Sequence, residues 1–179
     1  MHNHRLAWPD PRTGSALLNL ICLAPGQAMF LPAGQLHAYL NGVGIELMAN
    51  SDNVLRGGLT PKHVDVPELL RVVRFEETTV QIIHPSFLQP SLSEYSCPAT
   101  EFSLYVIKTT KDHPYLSLQK RSVEILLCIK GEGMITVDED GDAWSIKQGD
   151  SFLIPACLAP YRITGNAQLY KASVPVKLP

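Results

Sequence analysis

Short apolar runs, each interrupted by Pro, Gly or Asn, recur along this chain and constrain its fold more than any other feature. Before residue 76 the runs are LLNLICLA, AMFLPA, HAYL and VGIELMA, and after residue 100 they are FSLYVIKT, YLSLQ, VEILLCIK, GMITVD, AWSIK, SFLIPA and QLYKASV. Runs of this length, separated by turn residues roughly every 8–12 positions, are typical of strands in a sandwich or barrel. The sequence therefore predicts an all-β protein.

One helix is predicted within this β pattern, at residues 66–74. Asp65 and Glu68 have the spacing of a capping box, and Pro67 suits the first helical turn. The apolar residues that follow recur at helical spacing and share one face. We expect this to be the principal helix of the chain.

Changes in composition divide the chain into four parts. Residues 1–16 contain prolines and a glycine without any periodicity and are expected to be an irregular tail. Residues 17–75 form a first β unit with the short helix, and the Pro-rich and Ser-rich stretch 76–100 is expected to connect it to a second β unit at 101–179.

The bulk composition excludes several classes of protein. The 179 residues carry a formal net charge of −2 without long runs of one sign, which gives no support for nucleic-acid binding. No apolar stretch approaches the roughly 18 residues that a membrane span needs. The four cysteines are widely spaced, so reduced thiols and a cytoplasmic location are expected.

A spaced motif lies in the first β unit. Gly26, Pro32, Gly34, His37 and Asn41 satisfy the pattern G(X)5PXG(X)2H(X)3N. This pattern resembles the second sequence motif of the cupin family, in which the histidine is a metal ligand. On the motif alone, a histidine that is hydrogen-bonded within an apolar core is an equally good interpretation.

The run that begins at His37 is more specific. HAYLNGVGIELMANSDNVLRGGLTPK, from His37 to Lys62, closely resembles the signature of the type I mannose-6-phosphate isomerase family, which belongs to the cupins. The one departure is Gly57, where the family has Ala. The resemblance implies cupin or jelly-roll β-barrels, with an incomplete first cupin followed by a degenerate second cupin. It also implies a sugar-phosphate substrate, interconverted between mannose 6-phosphate and fructose 6-phosphate through an enediol.

The second β unit keeps only part of the cupin pattern. Glu124 and Gly131 have the E(X)6G spacing. Three positions at which a metal-binding cupin carries histidines hold other residues, namely Ser117, Gln119 and Pro160. We expect this barrel to be structural.

The resemblance implies a zinc site of which the chain carries one part. In the family, Gln, His, Glu and a second His hold the zinc, and His37 matches the last of these, while the others would precede residue 1. Arg56 and Lys62 match the basic positions at the phosphate end, where Arg56 is also expected to have a catalytic role. A surface ion pair between Arg56 and Asp52 is the alternative interpretation.

Glu46 is a candidate on geometric grounds. A two-residue turn at Asn41-Gly42 would set His37 directly opposite Glu46, on the same face of a hairpin. An acid and a histidine that face one cavity suit proton transfer or metal chemistry, and a neutral structural hydrogen bond is the alternative. We therefore predict a catalytic role for Glu46.

Three functions follow from these residues. The first is a mannose-6-phosphate isomerase polypeptide that has little activity alone, because its zinc site is incomplete. The second is a non-catalytic module that binds a sugar phosphate or a metal, and the third is a purely structural domain. We further expect the open edges of the first barrel to be covered by the tail, by a second copy in a homo-oligomer, or by a partner fragment.

Overall fold

The computed structural model describes residues 18–51, 53–57, 61–137 and 141–176. The predicted tail at 1–16 and the predicted partner of Arg56, Asp52, lie outside the described residues. No helix among the described residues has the length and apolar character needed to cross a bilayer.

A single antiparallel sheet dominates the described part of the chain. The order of its strands is β1-β2-β3-β8-β5-β6, with β4 also paired to β8 and β7 also paired to β5. The prediction of a mainly β protein is confirmed. The strands are β1 (Ser86–Gln89), β2 (Leu92–Tyr95), β3 (Ser103–Lys108), β4 (Tyr115–Leu116), β5 (Glu124–Val137), β6 (Ala143–Lys147), β7 (Ser151–Ile154) and β8 (Tyr161–Ser173).

The two longest strands, β5 and β8, form the centre of the sheet. Their ladder runs from Glu124 opposite Ser173 to Val137 opposite Tyr161. Within this ladder Gly133 lies opposite Gly165, and a Cβ on Gly133 would overlap a carbonyl oxygen of β8. The close approach of the two backbones therefore requires glycine at this point.

Alternate residues of these strands form the core, as the period of two in a strand requires. Ile163 and Leu169 of β8 and Leu126 of β5 are fully buried. Side chains from other strands pack against the same cluster, which consists of Leu92, Ile107, Tyr115, Leu126, Cys128, Ile135, Val137, Ile146, Ile154, Tyr161, Ile163, Ala167 and Leu169.

The helix α1 spans Val66–Val72, close to the predicted range, and its capping is confirmed. The Asp65 side chain accepts a hydrogen bond from the Glu68 amide at 3.1 Å. Arg71 forms an ion pair with Glu68 at 2.9 Å. Leu69 is the buried residue of the helix, so this one side chain anchors it to the rest of the protein.

The strands predicted within 17–49 are wrong. Residues 18–51 and 53–57 contain no strand, and their only ladder contact is an isolated bridge between Ala28 and Ile83. A strand persists only when a neighbour satisfies its backbone hydrogen bonds, and the described residues provide no such neighbour. The sequence of this segment has the short apolar runs of strands, but the described structure gives these runs no neighbouring strand to pair with.

The stretch 76–100, predicted to be an irregular connection, contains β1 and β2. These strands form a hairpin in which Gln89 lies opposite Leu92, and β2 continues the sheet by pairing with β3. Leu92 and Tyr95 are buried. Ser86 and Ser93 lie within the two short strands, and Pro90 and Ser91 form the turn between them, so the composition of this stretch concealed both strands.

Candidate functional site

The four residues predicted to form the site, His37, Glu46, Arg56 and Lys62, are all exposed. They lie in the irregular segment before helix α1, within described residues that form no strand. The structure therefore places them on one accessible stretch of chain. It does not bring them together in an enclosed cavity.

Tyr39, which the sequence did not single out, is the partner of Glu46. Its hydroxyl donates a hydrogen bond to Glu46 Oε1 at 2.9 Å. Gly42 has φ +117, so the chain turns where the hairpin was predicted, but no ladder follows. The predicted pairing of His37 with Glu46 is therefore wrong. The signal for Tyr39 was its position two residues after His37, on the same side of an extended segment.

The environment of Tyr39 keeps its hydroxyl protonated. Partial desolvation, and then the hydrogen bond and the negative charge of Glu46, raise the pKa of Tyr39 above its usual value of 10.0. A neutral phenol can donate a hydrogen bond, whereas a phenolate cannot. At neutral pH Tyr39 thus orients the Glu46 carboxylate by donation.

His37 lies beside this pair. Its ring is at 5.9 Å from the Tyr39 ring, in an edge-on arrangement. Its Nδ1 is hydrogen-bonded to the backbone carbonyl oxygen of Gln35 at 3.1 Å. Together His37, Tyr39 and Glu46 form a polar cluster that is open to solvent.

Gly57, where the chain departs from the family signature, lies close to the Leu36 side chain. A Cβ at this position would lie 2.7 Å from Leu36 Cδ2, which is closer than side chains approach each other. Leu36 would have to move to admit an alanine. Leu36 Cδ2 is the free end of a side chain that is 41% exposed, so a small rotation of Leu36 would admit the alanine.

The described residues do not form a complete metal site. Among them, no three His, Cys, Asp or Glu side chains are close enough to hold one ion. A catalytic zinc ion is usually held by about three protein ligands. His37 would supply one of these.

The interior of the second β unit holds a buried ion pair. Glu124 and Lys171 are 2% and 3% exposed, and Lys171 Nζ lies 2.9 Å from Glu124 Oε1. Tyr161 donates a hydrogen bond to the other carboxylate oxygen at 2.9 Å, and Lys171 donates one to Tyr115 at 3.2 Å. This carboxylate, at a cupin-like spacing in the sequence, is compensated by an ammonium group of the protein itself.

The Arg121 side chain is hydrogen-bonded to the loop that follows β7. Its guanidinium donates hydrogen bonds to four backbone carbonyls, those of Pro155, Ala156, Leu158 and Ala159. Its Nε lies 3.8 Å from Glu124 Oε2. The three degenerate positions around this loop, Ser117, Gln119 and Pro160, provide no histidine. The described geometry is that of a structural core.

Comparisons with known proteins agree with this geometry. Residues 94–174 match the family model described as mannose-6-phosphate isomerase, cupin domain. This range begins in β2 and ends just beyond β8, so it covers the second β unit with most of its sheet.

Curated relatives match a longer part of the chain. Mannose-6-phosphate isomerase from Escherichia coli (strain K12) is 38% identical over 154 residues, which cover 86% of this chain and 38% of the relative. Mannose-6-phosphate isomerase 1 from Arabidopsis thaliana is 30% identical over 87% of this chain and 36% of its own length. The chain thus spans less than two fifths of the length of these relatives.

Solved structures of the same enzyme have a similar fold. Mannose 6-phosphate isomerase from Salmonella typhimurium, in a structure described as bound to substrate (f6p) and zinc, aligns with a TM-score of 0.60 and 30% identity. The alignment covers 72% of this chain and 32% of that protein. The family model, the relatives and the solved structures agree, and the chain belongs to the mannose-6-phosphate isomerase family.

Proposed function

We propose that this chain supplies the sugar-phosphate end of an isomerase site that interconverts mannose 6-phosphate and fructose 6-phosphate. The observation that carries the proposal is the hydrogen bond between Tyr39 and Glu46 beside His37. It joins an acid and a phenol next to a histidine, within a segment that resembles the family signature. The 38% identity with the Escherichia coli enzyme supports the same substrate.

Arg56 and Lys62 are proposed to bind the phosphate. Both are exposed cations in the same segment as the polar cluster. A guanidinium can donate two parallel hydrogen bonds to phosphate oxygens, and an ammonium group adds positive charge. By binding the phosphate, Arg56 would position the reacting carbons of the sugar at the catalytic groups. It would also stabilise negative charge that develops on the enediol.

Glu46 is proposed to transfer the proton between the two adjacent carbons of the sugar. Its carboxylate accepts the proton that leaves C2, and the electron pair forms the C1–C2 double bond of the enediol. A proton passes from the C2 hydroxyl to the C1 oxygen, and Glu46 then returns its proton to C1, which leaves the ketose carbonyl at C2. Tyr39, held neutral by its surroundings, orients one oxygen of that carboxylate. The second oxygen is then left for the substrate.

Zinc is bound in the solved Salmonella typhimurium relative, and we propose it as the metal of the complete site. The described residues of this chain do not fit such a site by themselves, since no three of their His, Cys, Asp or Glu side chains are close enough to hold one ion. The remaining ligands would have to come from outside the described residues. The isolated chain is therefore proposed to have little or no isomerase activity.

A non-catalytic module that binds a sugar phosphate or a metal is the second candidate. The scattered arrangement of ligand-type side chains among the described residues favours it. Such a module would keep phosphate binding at Arg56 and Lys62 without turnover. Supplying the rest of the site distinguishes the two candidates. The isomerase polypeptide would then gain isomerase activity, whereas the binding module would not.

Large apolar side chains before helix α1 support an additional covering polypeptide. Leu20 is 76% exposed and Tyr39 73%, and Val43 is fully exposed. Soluble proteins rarely leave such side chains uncovered in one region. We propose that a second copy or a partner fragment packs on them.

The four free cysteines support a reducing, cytoplasmic setting.

A coupled isomerase assay tests the proposal. Metal-loaded chain, freed of contaminating host enzyme, is assayed alone and after co-expression with the part of the Escherichia coli relative that the match does not cover. We expect no turnover alone and measurable turnover in the co-expressed sample, abolished by Glu46→Gln. Absence of turnover in both samples, with sugar-phosphate binding intact, would favour the non-catalytic module.

A further inference from the structure

The hydrogen bond of His37 fixes which ring nitrogen carries the proton. Gln35 contributes a backbone carbonyl oxygen at 3.1 Å from His37 Nδ1, and a carbonyl oxygen can only accept. The hydrogen must therefore be on Nδ1. In the neutral ring Nε2 is then unprotonated, and its lone pair is available to a metal ion or to a sugar hydroxyl.

Gln35 is itself held by a residue far away in the sequence. Its side-chain Nε2 donates a hydrogen bond to Thr78 Oγ1 at 2.8 Å in a partly buried position. The Thr78 hydroxyl lies 3.4 Å from the carbonyl oxygen of Glu76, and the Thr78 carbonyl accepts a hydrogen bond from Asn19 at 3.0 Å. Thr78 is thus hydrogen-bonded to Gln35 and to Asn19, which lie in segments that no strand pairing connects to it.

We propose that Thr78 is a positioning residue for His37. Its hydroxyl holds Gln35, and the Gln35 carbonyl then selects the Nδ1–H tautomer and presents Nε2 to the site. Groups that orient a functional histidine through its other ring nitrogen commonly act in this way. The role of Nε2 rests on the proposed function, whereas the tautomer and its dependence on Thr78 do not.

The chain offers a matched control for this proposal. Thr79 is the next residue, and it is exposed where Thr78 is partly buried. Thr78→Val removes the hydroxyl and keeps the shape and the backbone carbonyl. Thr79→Val makes the same chemical change one position along, and Thr78→Ser restores a hydroxyl at the original position.

The experiment is long-range proton–nitrogen correlation NMR on chain with 15N-labelled histidine, at a pH where imidazole is neutral. His37→Gln assigns the His37 signals. We expect the Nδ1–H pattern in the unmodified chain, in Thr78→Ser and in Thr79→Val. In Thr78→Val we expect a shift toward the Nε2–H form, which imidazole prefers in water.

Three results would overturn the proposal. These are an Nε2–H pattern for His37 in the unmodified chain, an unchanged tautomer in Thr78→Val, and an equal shift in Thr79→Val. If Thr78→Val fails to fold, Gln35→Leu removes the same hydrogen bond from the other side, and an unchanged tautomer in that variant would overturn the proposal. The NMR experiment measures the tautomer of His37 and not isomerase turnover. Its outcomes would therefore stand even if the proposed isomerase function were wrong.

Discussion

The ammonium of Lys171 lies 2.9 Å from Glu124 Oε1, and both side chains are almost completely buried. A buried carboxylate is stable only when its charge is compensated and its oxygens are hydrogen-bonded. Here the compensation comes from the protein, with Tyr161 on the second oxygen. The largely apolar core of the sheet therefore contains a charged pair that is neutralised within the protein itself.

Lys171→Met removes the nearer cation from the buried Glu124 and leaves only Arg121, whose Nε lies 3.8 Å from Glu124 Oε2. We expect a loss of about 3–5 kcal/mol in the free energy of unfolding, because breaking one side of a buried pair exposes the other to an apolar environment. The double variant Lys171→Met/Glu124→Gln removes both charges and should recover much of that loss. Urea unfolding of the three proteins measures this, and a double variant no more stable than Lys171→Met would contradict it.

Alkaline pH should weaken this core. Burial lowers the pKa of Lys171, but Tyr115 and Glu124 more than offset this and leave it above 10.5. Burial, and then the neighbouring Tyr115 and Glu124, also raises the pKa of Tyr161 well above 10.0. Both groups keep their protons in the folded protein at a pH where the unfolded chain loses them.

The sign of the pH effect follows from these directions. A group with a raised pKa in the folded state contributes stability that is complete below its unfolded value and is lost as pH rises. We expect the free energy of unfolding to decline above about pH 10, by up to about 1.4 kcal/mol per pH unit for each group. Tyr161→Phe should reduce the slope. A stability that increases with pH in this range would contradict the prediction.

Gly34 is where the chain before helix α1 meets the helix. It has φ +86, and a Cβ there would lie 2.8 Å from the carbonyl oxygen of Val72. Gly26 is a matched control, since it has φ +87 and open space around it. Gly26→Ala should be destabilising by about 1 kcal/mol through the backbone alone, and Gly34→Ala by about 1–2 kcal/mol more.

Hydrogen exchange distinguishes the two glycine variants. The Arg74 amide is hydrogen-bonded to the Gly34 carbonyl at 3.0 Å. We expect this amide to lose protection in Gly34→Ala and to keep it in Gly26→Ala. Equal loss in both variants would mean that contact with Val72 is not what requires glycine.

Sequence reasoning succeeded where a pattern and its partner lie in the same unit. The runs around β3, β5, β6 and β7 alternate clearly, and each strand has a neighbour to pair with. The start of β8 was missed because Gly165-Asn166 resembles a turn, whereas in the sheet it continues the ladder opposite β5. A local signal cannot distinguish a turn from a glycine that two strands require for close approach.

The sequence proposed residues for the candidate site but did not predict how they are arranged. The motif and signature identified His37, Arg56 and Lys62, and an assumed hairpin identified Glu46. The functional roles of all four residues stay predictions. Pairing His37 with Glu46 assumed a regular hairpin, and without a ladder the acid binds Tyr39 instead. The contact between Gln35 and Thr78 spans 43 positions, so no local pattern could have revealed it.

The most direct test of this account is an amide NMR titration of the chain with mannose 6-phosphate, with mannose as the control. We predict saturable shifts at Arg56 and Lys62 with the phosphorylated sugar alone, and at least about tenfold weaker binding in Arg56→Gln. Hydrogen bonds to charged groups typically contribute about 1.5–3 kcal/mol, and about 1.4 kcal/mol corresponds to a factor of ten. Equal responses to both sugars, or unchanged binding in Arg56→Gln, would contradict a sugar-phosphate site in this segment.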